Sequence, residues 1–148
     1  MVRNILTGIF LWAVVSAAFS ADLCTKEKED DPPLCPLILP KTAKITIAKN
    51  AAKSPAETDA TISCESFHIS ENTVRRFLKL AKVIDARYTH TAVLWFPCGA
   101  SGEVIFSDGR SAYWSMSQYQ YGSLSFKDTE DKSTLYCARC KFVPFMGW

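Results

Sequence analysis

Histidine is scarce in this chain. Only His68 and His90 occur among 148 residues, and neither stands in a nucleophile motif; Gly-x-Ser-x-Gly and His-Glu-x-x-His are both absent. A hydrolase or transferase needs a nucleophile, a base and a group that orients the base. The carboxylates Glu65, Glu103 and Asp108 are scattered without an evident pair. No catalytic set is expected, and no cofactor. A charge excess is missing too: the formal net charge is +2, whereas a nucleic-acid binder normally carries a clear basic excess. Beyond the first twenty residues no apolar run reaches the roughly 20 residues needed to cross a bilayer, and no internal repeat is visible.

What is present begins with "MVRNILTGIFLWAVVSAAFSADLC". Arg3 supplies a basic start, residues 5–15 form an apolar core interrupted mainly by Thr7 and Gly8, and small residues follow from Ser16. This is the pattern of a secretory signal peptide over residues 1–20, with Ala18 and Ser20 in the small positions before the cut. A periplasmic or secreted protein with no stable membrane span after cleavage is expected. A lipid anchor is disfavoured because bulky Leu23 precedes Cys24. Cys24, Cys35, Cys64, Cys98, Cys137 and Cys140 all lie beyond the cut, and an even cysteine count in a short exported chain points to a disulfide framework.

Residues 21–60 hold most of the prolines and the mixed-charge run "KEKEDD". They read as an extended arm with at most one short strand, residues 44–48, and with Cys24 and Cys35 closing a small loop. The rest, residues 61–148, reads as an α+β domain. "TISCESFHIS" suggests a strand ending at Ser70, which can cap the helix that follows. Val74, Phe77, Leu78, Ala81 and Ile84 recur at helical spacing and predict an amphipathic helix over residues 71–85. The period then shortens to two in "TAVLWF", "EVIFS", "SAYWSMS", "GSLSF" and "STLYC". Asp108–Gly109 marks a tight hairpin; in residues 122–126, Leu124 and Phe126 alternate with Ser123 and Ser125, giving one inward face and one facing water. "GASG" at 99–102 reads as a hairpin loop. The expected architecture is an antiparallel meander of about five to six short strands packed on one helix, stapled by disulfides, with the arm running across it.

"YCARC" at 136–140 admits three readings. A redox pair sits where a strand gives way to a helix whose N-terminus stabilises the thiolate, yet "KFVPFMGW" follows, with Pro144 and Gly147. A zinc site drawing on Cys98, His90 or the Cys64–His68 pair lacks a second short-spaced ligand pair. The structural reading is preferred, with Cys137 and Cys140 as two separate disulfide ends. Because the first and fifth strands of a meander run the same way, Cys98 can reach Cys137 or Cys140 and the other can take Cys64; of these the preferred pairing is Cys98–Cys137 with Cys64–Cys140, beside Cys24–Cys35.

Two surface features suggest a partner. "SMSQYQYGS" places Tyr119 and Tyr121 among Ser, Gln and Gly, a mixture that recognition loops favour. Arg75, Arg76 and Lys79, with Lys82, form a basic stripe on the helix. "FMGW" adds apolar groups fit to cover one end of the core.

The order "CESFHIS", helix, "HTAVLWFPC", "GEVIFSDGRSAYW", "LYCARC" resembles a group of small exported proteins of Gram-negative bacteria with a cysteine strand, a helix and a Gly/Trp hairpin. Some proteins of this size and compartment are similar to immunity proteins. Export, a stapled compact domain, the lack of a catalytic set and a Tyr-rich loop near a basic helix point to a non-enzymatic binding protein, in its immunity or inhibitor form one whose partner is a toxin or envelope enzyme. The competing expectation is a thiol–disulfide or metal-handling envelope protein using Cys137 and Cys140, and a structural accessory of an envelope complex is a third.

Overall fold

The computed structural model describes residues 24–26, 28–29, 31–55, 57–88 and 97–146. The expected signal peptide, His90 and the expected strand at 91–96 lie outside the described residues. The elements are β1 (Leu34–Pro36), β2 (Thr42–Lys53), α1 (Glu71–Leu80), β3 (Lys82–Ile84), β4 (Cys98–Phe106), β5 (Ser111–Ser117), β6 (Tyr121–Phe126) and β7 (Lys132–Tyr136). A further helical turn covers residues 86–88. All seven strands form one antiparallel sheet in the order β1-β3-β7-β6-β5-β4-β2.

The meander from β4 to β7 follows the period-two pattern. The β4–β5 hairpin turns at Asp108–Gly109: Gly109 adopts φ +87° and donates to the Phe106 carbonyl at 3.0 Å, a backbone state that costs glycine little. Along β4, Ala100, Val104 and Phe106 point into the core, joined by Ala112, Trp114 and Met116 of β5, Leu124 of β6 and Leu135 of β7. "GASG" is strand, not loop. Gly102 is needed there because a Cβ would collide with the Thr46 carbonyl and the Trp114 indole.

α1 covers that inner face. Ser70 caps it, accepting from the Thr73 amide at 3.2 Å, and Val74, Phe77 and Leu78 are buried. The helix stops at Leu80, not at residue 85. Ala81 is extended, and Lys82–Ile84 pairs on one side with β7 and on the other with β1. β-branched Val83 and Ile84 suit either period; the open edge of β7 decides for strand. Residues 61–70 are not a strand either. Their buried side chains, Cys64, Phe67 and Ile69, break strict alternation, and Phe67 closes a turn onto Cys64 at 2.9 Å. The segment straps the core.

The arm contributes more strand than its sequence suggests. β2 is a 12-residue edge strand paired with β4. Register shifts between Thr42 and Lys44, Ile47 and Lys49, and Lys49 and Ala52 interrupt its alternation, and such bulges hide a strand from a period-two reading. At the other terminus Phe145 packs against Phe67, Phe77 and Phe142 with ring centroids 5.9, 5.6 and 5.5 Å apart. The tail thereby closes the core, as expected of "FMGW" for the part described.

Cys24–Cys35 forms as expected, but the other two pairings are corrected to Cys64–Cys98 and Cys137–Cys140. Cys98 and Cys137 do share one end of the sheet, since Gly99 pairs with Ser117 and Tyr121 with Tyr136. Between them, however, lie β5 and β6. Three strand spacings amount to about 14 Å, twice the reach of a disulfide's Cα atoms, about 7 Å. Cys98 therefore meets Cys64 on the strap, Cα–Cα 5.3 Å. Cys137 meets Cys140 across its own turn, also 5.3 Å, with the Cys140 amide donating to the Cys137 carbonyl at 3.0 Å. YCARC is thus one closed disulfide, not two separate ends.

Candidate binding face

Strand alternation gives every core-facing residue a neighbour that points the other way. Gly122 faces α1, because a Cβ there would come within 3.1 Å of the Phe77 ring; Tyr121 and Ser123 therefore face away. They lie on the second face of the sheet, where Tyr121 is nonetheless only 8% exposed.

Register aligns its side chains into rows across the strands. Lys49 pairs with Ser101, Ser101 with Ser115, Ser115 with Ser123, and Ser123 with Thr134. One lysine and four hydroxyls thus stand side by side on β2, β4, β5, β6 and β7. The Ser115 and Ser123 hydroxyls already share a hydrogen bond of 2.7 Å. The next row runs Thr46, Glu103, Tyr113, Ser125, Lys132. There Lys127 joins Glu103 at 2.5 Å and lies 4.7 Å from the centre of the Tyr113 ring. Its hydrogen bond to the Glu103 carboxylate raises the lysine pKa.

These rows floor two adjoining concavities of about 580 and 450 Å³, which share Ser101, Ser115, Ser123 and Lys132. Lys49, Lys53 and Lys132 line the larger or both, and all three are exposed. Lys53 donates to the Asp59 carbonyl at 3.0 Å. Lys49 and Lys132 have no carboxylate partner among the described residues.

Tyr121 lines the larger concavity. It is almost fully buried, its ring centroid 4.7 Å from that of Tyr136, and burial, then the neighbouring Tyr136, raises its pKa. The turn carrying Tyr119 is anchored on both sides. Gln120, at φ +69° and 2% exposed, donates its side-chain amide to the Cys140 carbonyl at 2.9 Å and accepts the Cys137 amide on its own carbonyl. The Gln118 carbonyl accepts the Met146 amide at 2.7 Å. Tyr119 is half-buried there.

The helix stripe sits in the layer on the opposite side of the sheet from Tyr121. Arg75 donates to the Thr42 carbonyl at 2.9 Å, and the Arg76 guanidinium lies 3.7 Å above the Phe142 ring. Both are engaged in holding the fold. Lys79 is exposed in the last turn of α1, and Lys82 reaches the Thr25 hydroxyl at 3.1 Å. The structure therefore does not merge the two regions singled out in the sequence. Cys137 and Cys140 are fully buried. The sequence reading passed over Lys49, Ser101, Lys132 and Thr134. Its signal was the alternation of Ser with core residues in consecutive strands, which only the register turns into rows.

The described residues thus form a disulfide-stapled antiparallel sheet with a helix on one face and rows of hydroxyls and lysines on the other. Comparison with known protein families, with curated proteins and with solved structures finds no match in any of the three.

Proposed function

We propose that the chain is a non-enzymatic binding protein of the periplasm or cell exterior that holds its partner on the face of its sheet opposite α1. The observation that carries this is the row of Ser101, Ser115, Ser123 and Thr134 flooring a concavity of about 580 Å³. Such hydroxyls both donate and accept, and a concave site with convergent polar groups is the usual form of a ligand site. The three disulfides fit an oxidising compartment. In the immunity or inhibitor form of this reading, the occupant is a toxin or envelope enzyme. Burial of Cys137 and Cys140 weighs against thiol exchange, which requires an accessible sulfur.

The test is affinity capture of the tagged protein from its native envelope, beside a variant whose face is blocked by Ser115→Trp. Retention of a stoichiometric partner by the parent and its loss from the blocked, still folded variant is the expected result. Equal retention by both would move the binding surface off this face.

A further inference from the structure

Antiparallel register sorts the turns of the sheet into two ends. At one end Asp85 follows β3, Asp108 stands in the β4–β5 turn, and Asp128, Glu130 and Asp131 stand in the β6–β7 turn. At the other end Pro36, Lys82, Tyr136 and Tyr121 line up across β1, β3, β7 and β6. Lys79 lies just before Lys82, in the last turn of α1, and Arg139 and Lys141 lie just after Tyr136. All three are exposed, and none has a carboxylate partner among the described residues. Residues 132–148 contain no Asp or Glu. At the acidic end, by contrast, Arg87 and Arg110 are taken up by Asp85 and Asp108. The carboxylates Glu57, Asp59 and Glu65 sit near the starts of other connections, beside Lys53 and the Cys64–Cys98 bridge, with β5 and β6 between β4 and β7.

The basic end also carries exposed aliphatic groups. The Phe145 amide donates to the Phe142 carbonyl at 2.9 Å and closes a turn whose two rings are both engaged: Phe145 packs on Phe67 and Phe77, and Phe142 lies under the Arg76 guanidinium. Val143, at the corner of that turn, is left 87% exposed. Met146 follows at 54%, and Ile38, just beyond Pro36, at 84%. Tyr113, 57% exposed, belongs to a different region, beside Lys127. Exposed apolar residues scattered singly are ordinary; three at one end, among cations without partners, make an amphipathic surface.

We propose that this end docks on an anionic lipid bilayer. Val143 and Met146 enter the headgroup layer, and Lys79, Arg139 and Lys141 meet lipid phosphates, the combination of apolar burial and charge attraction that holds peripheral proteins on membranes. A protein partner fits less well, because protein interfaces are depleted in Lys and set their anchors in pockets, whereas Val143 projects from a turn. The acidic turns point away from the bilayer in this orientation, so the charge distribution of the molecule steers it basic end first. The surface is separate from the sheet face opposite α1, and its failure would leave that reading standing.

The probe is a pair of vesicle preparations, phosphatidylglycerol mixed with phosphatidylcholine and phosphatidylcholine alone, titrated with the disulfide-intact protein purified from a bacterial periplasm and read by co-sedimentation. Partitioning onto the anionic vesicles should be at least tenfold stronger and should fall as salt is raised. Lys79→Gln with Lys141→Gln should lower it about twenty-five-fold, about fivefold for each cation. Lys41→Gln with Lys44→Gln, which removes the same charge from the acidic end, should change it less than about threefold, as screened distant charges would. Val143→Ser, which leaves every cation in place, should lower it about fivefold or more. The substituted residues are all exposed, and an unchanged urea midpoint checks that each variant folds. Equal partitioning onto both vesicle types, or onto neither, would overturn the proposal. So would equal losses in the two lysine pairs, or indifference to Val143→Ser, which would leave a basic end without an inserted tip.

Discussion

Tyr121 points to the side of the sheet opposite α1 yet is buried, and its surroundings restrain its chemistry. Burial, then the nearby Tyr136 hydroxyl, disfavours the phenolate, so the pKa lies above the ordinary value of 10.0. For an acid whose folded pKa is raised, the associated stability is intact below the unfolded pKa. It is lost as pH climbs from there through the folded pKa, because the unfolded chain gives up its proton first. Subtracting the alkaline absorbance titration of Tyr121→Phe from that of the parent should therefore isolate a step above pH 10. A step at or below pH 10 would mean that the ring is open to water. Arg75 and Arg76 illustrate the other outcome at this scale. Their positions satisfied the stripe pattern on paper, but one guanidinium caps a strand carbonyl and the other covers an aromatic ring. A periodic pattern of charge cannot distinguish these uses from a free basic surface.

Among the elements, β2 was the least legible in sequence and depends most on others for its place. Helix α1 and the Asp108–Gly109 hairpin are encoded locally, by Ser70 as a cap and by glycine at positive φ, and both were readable. β2 is interrupted by bulges and rich in Ala and Lys; its partner β4 lies some 50 residues later in sequence, as Ala52↔Gly99 and Ile45↔Val104 show. Nothing local announces it. Part of its edge is tied by side chains. Asn50 donates to the Ile69 carbonyl at 2.7 Å and accepts the Ile69 amide at 2.8 Å, while Arg75 holds the Thr42 end. Ile69 is 1% exposed, so removing the Asn50 amide strands a buried donor and acceptor together. Asn50→Ala should destabilise by about 2 kcal/mol or more and raise amide exchange at Ile69. Asn50→Asp, which keeps one acceptor, should fall between. A loss under about 0.5 kcal/mol for the alanine variant, within the range of an ordinary surface change, would show that the tie is replaced by water.

At the scale of the whole molecule, topology decides what sequence left open. The rows of hydroxyls, the route of the strap and the cysteine partners all depend on which strand lies beside which, and that follows from long-range pairing rather than from local period. The disulfides make the point quantitatively. Cys64–Cys98 closes a separation of 34 residues and ties the strap to the first strand of the meander, whereas Cys137–Cys140 closes a separation of 3. Loop-closure entropy assigns about 4 kcal/mol to the first and about 2 kcal/mol to the second. All four sulfurs are buried, none more than 4% exposed, so paired Cys→Ala replacements remove similar packing and the difference isolates the loop term. In urea denaturation, Cys64→Ala with Cys98→Ala should therefore lose about 2 kcal/mol more than Cys137→Ala with Cys140→Ala. The opposite order would mean that the C-terminal turn, with Gln120 hydrogen-bonded into it, holds the sheet and the aromatic tail together more strongly than the strap does.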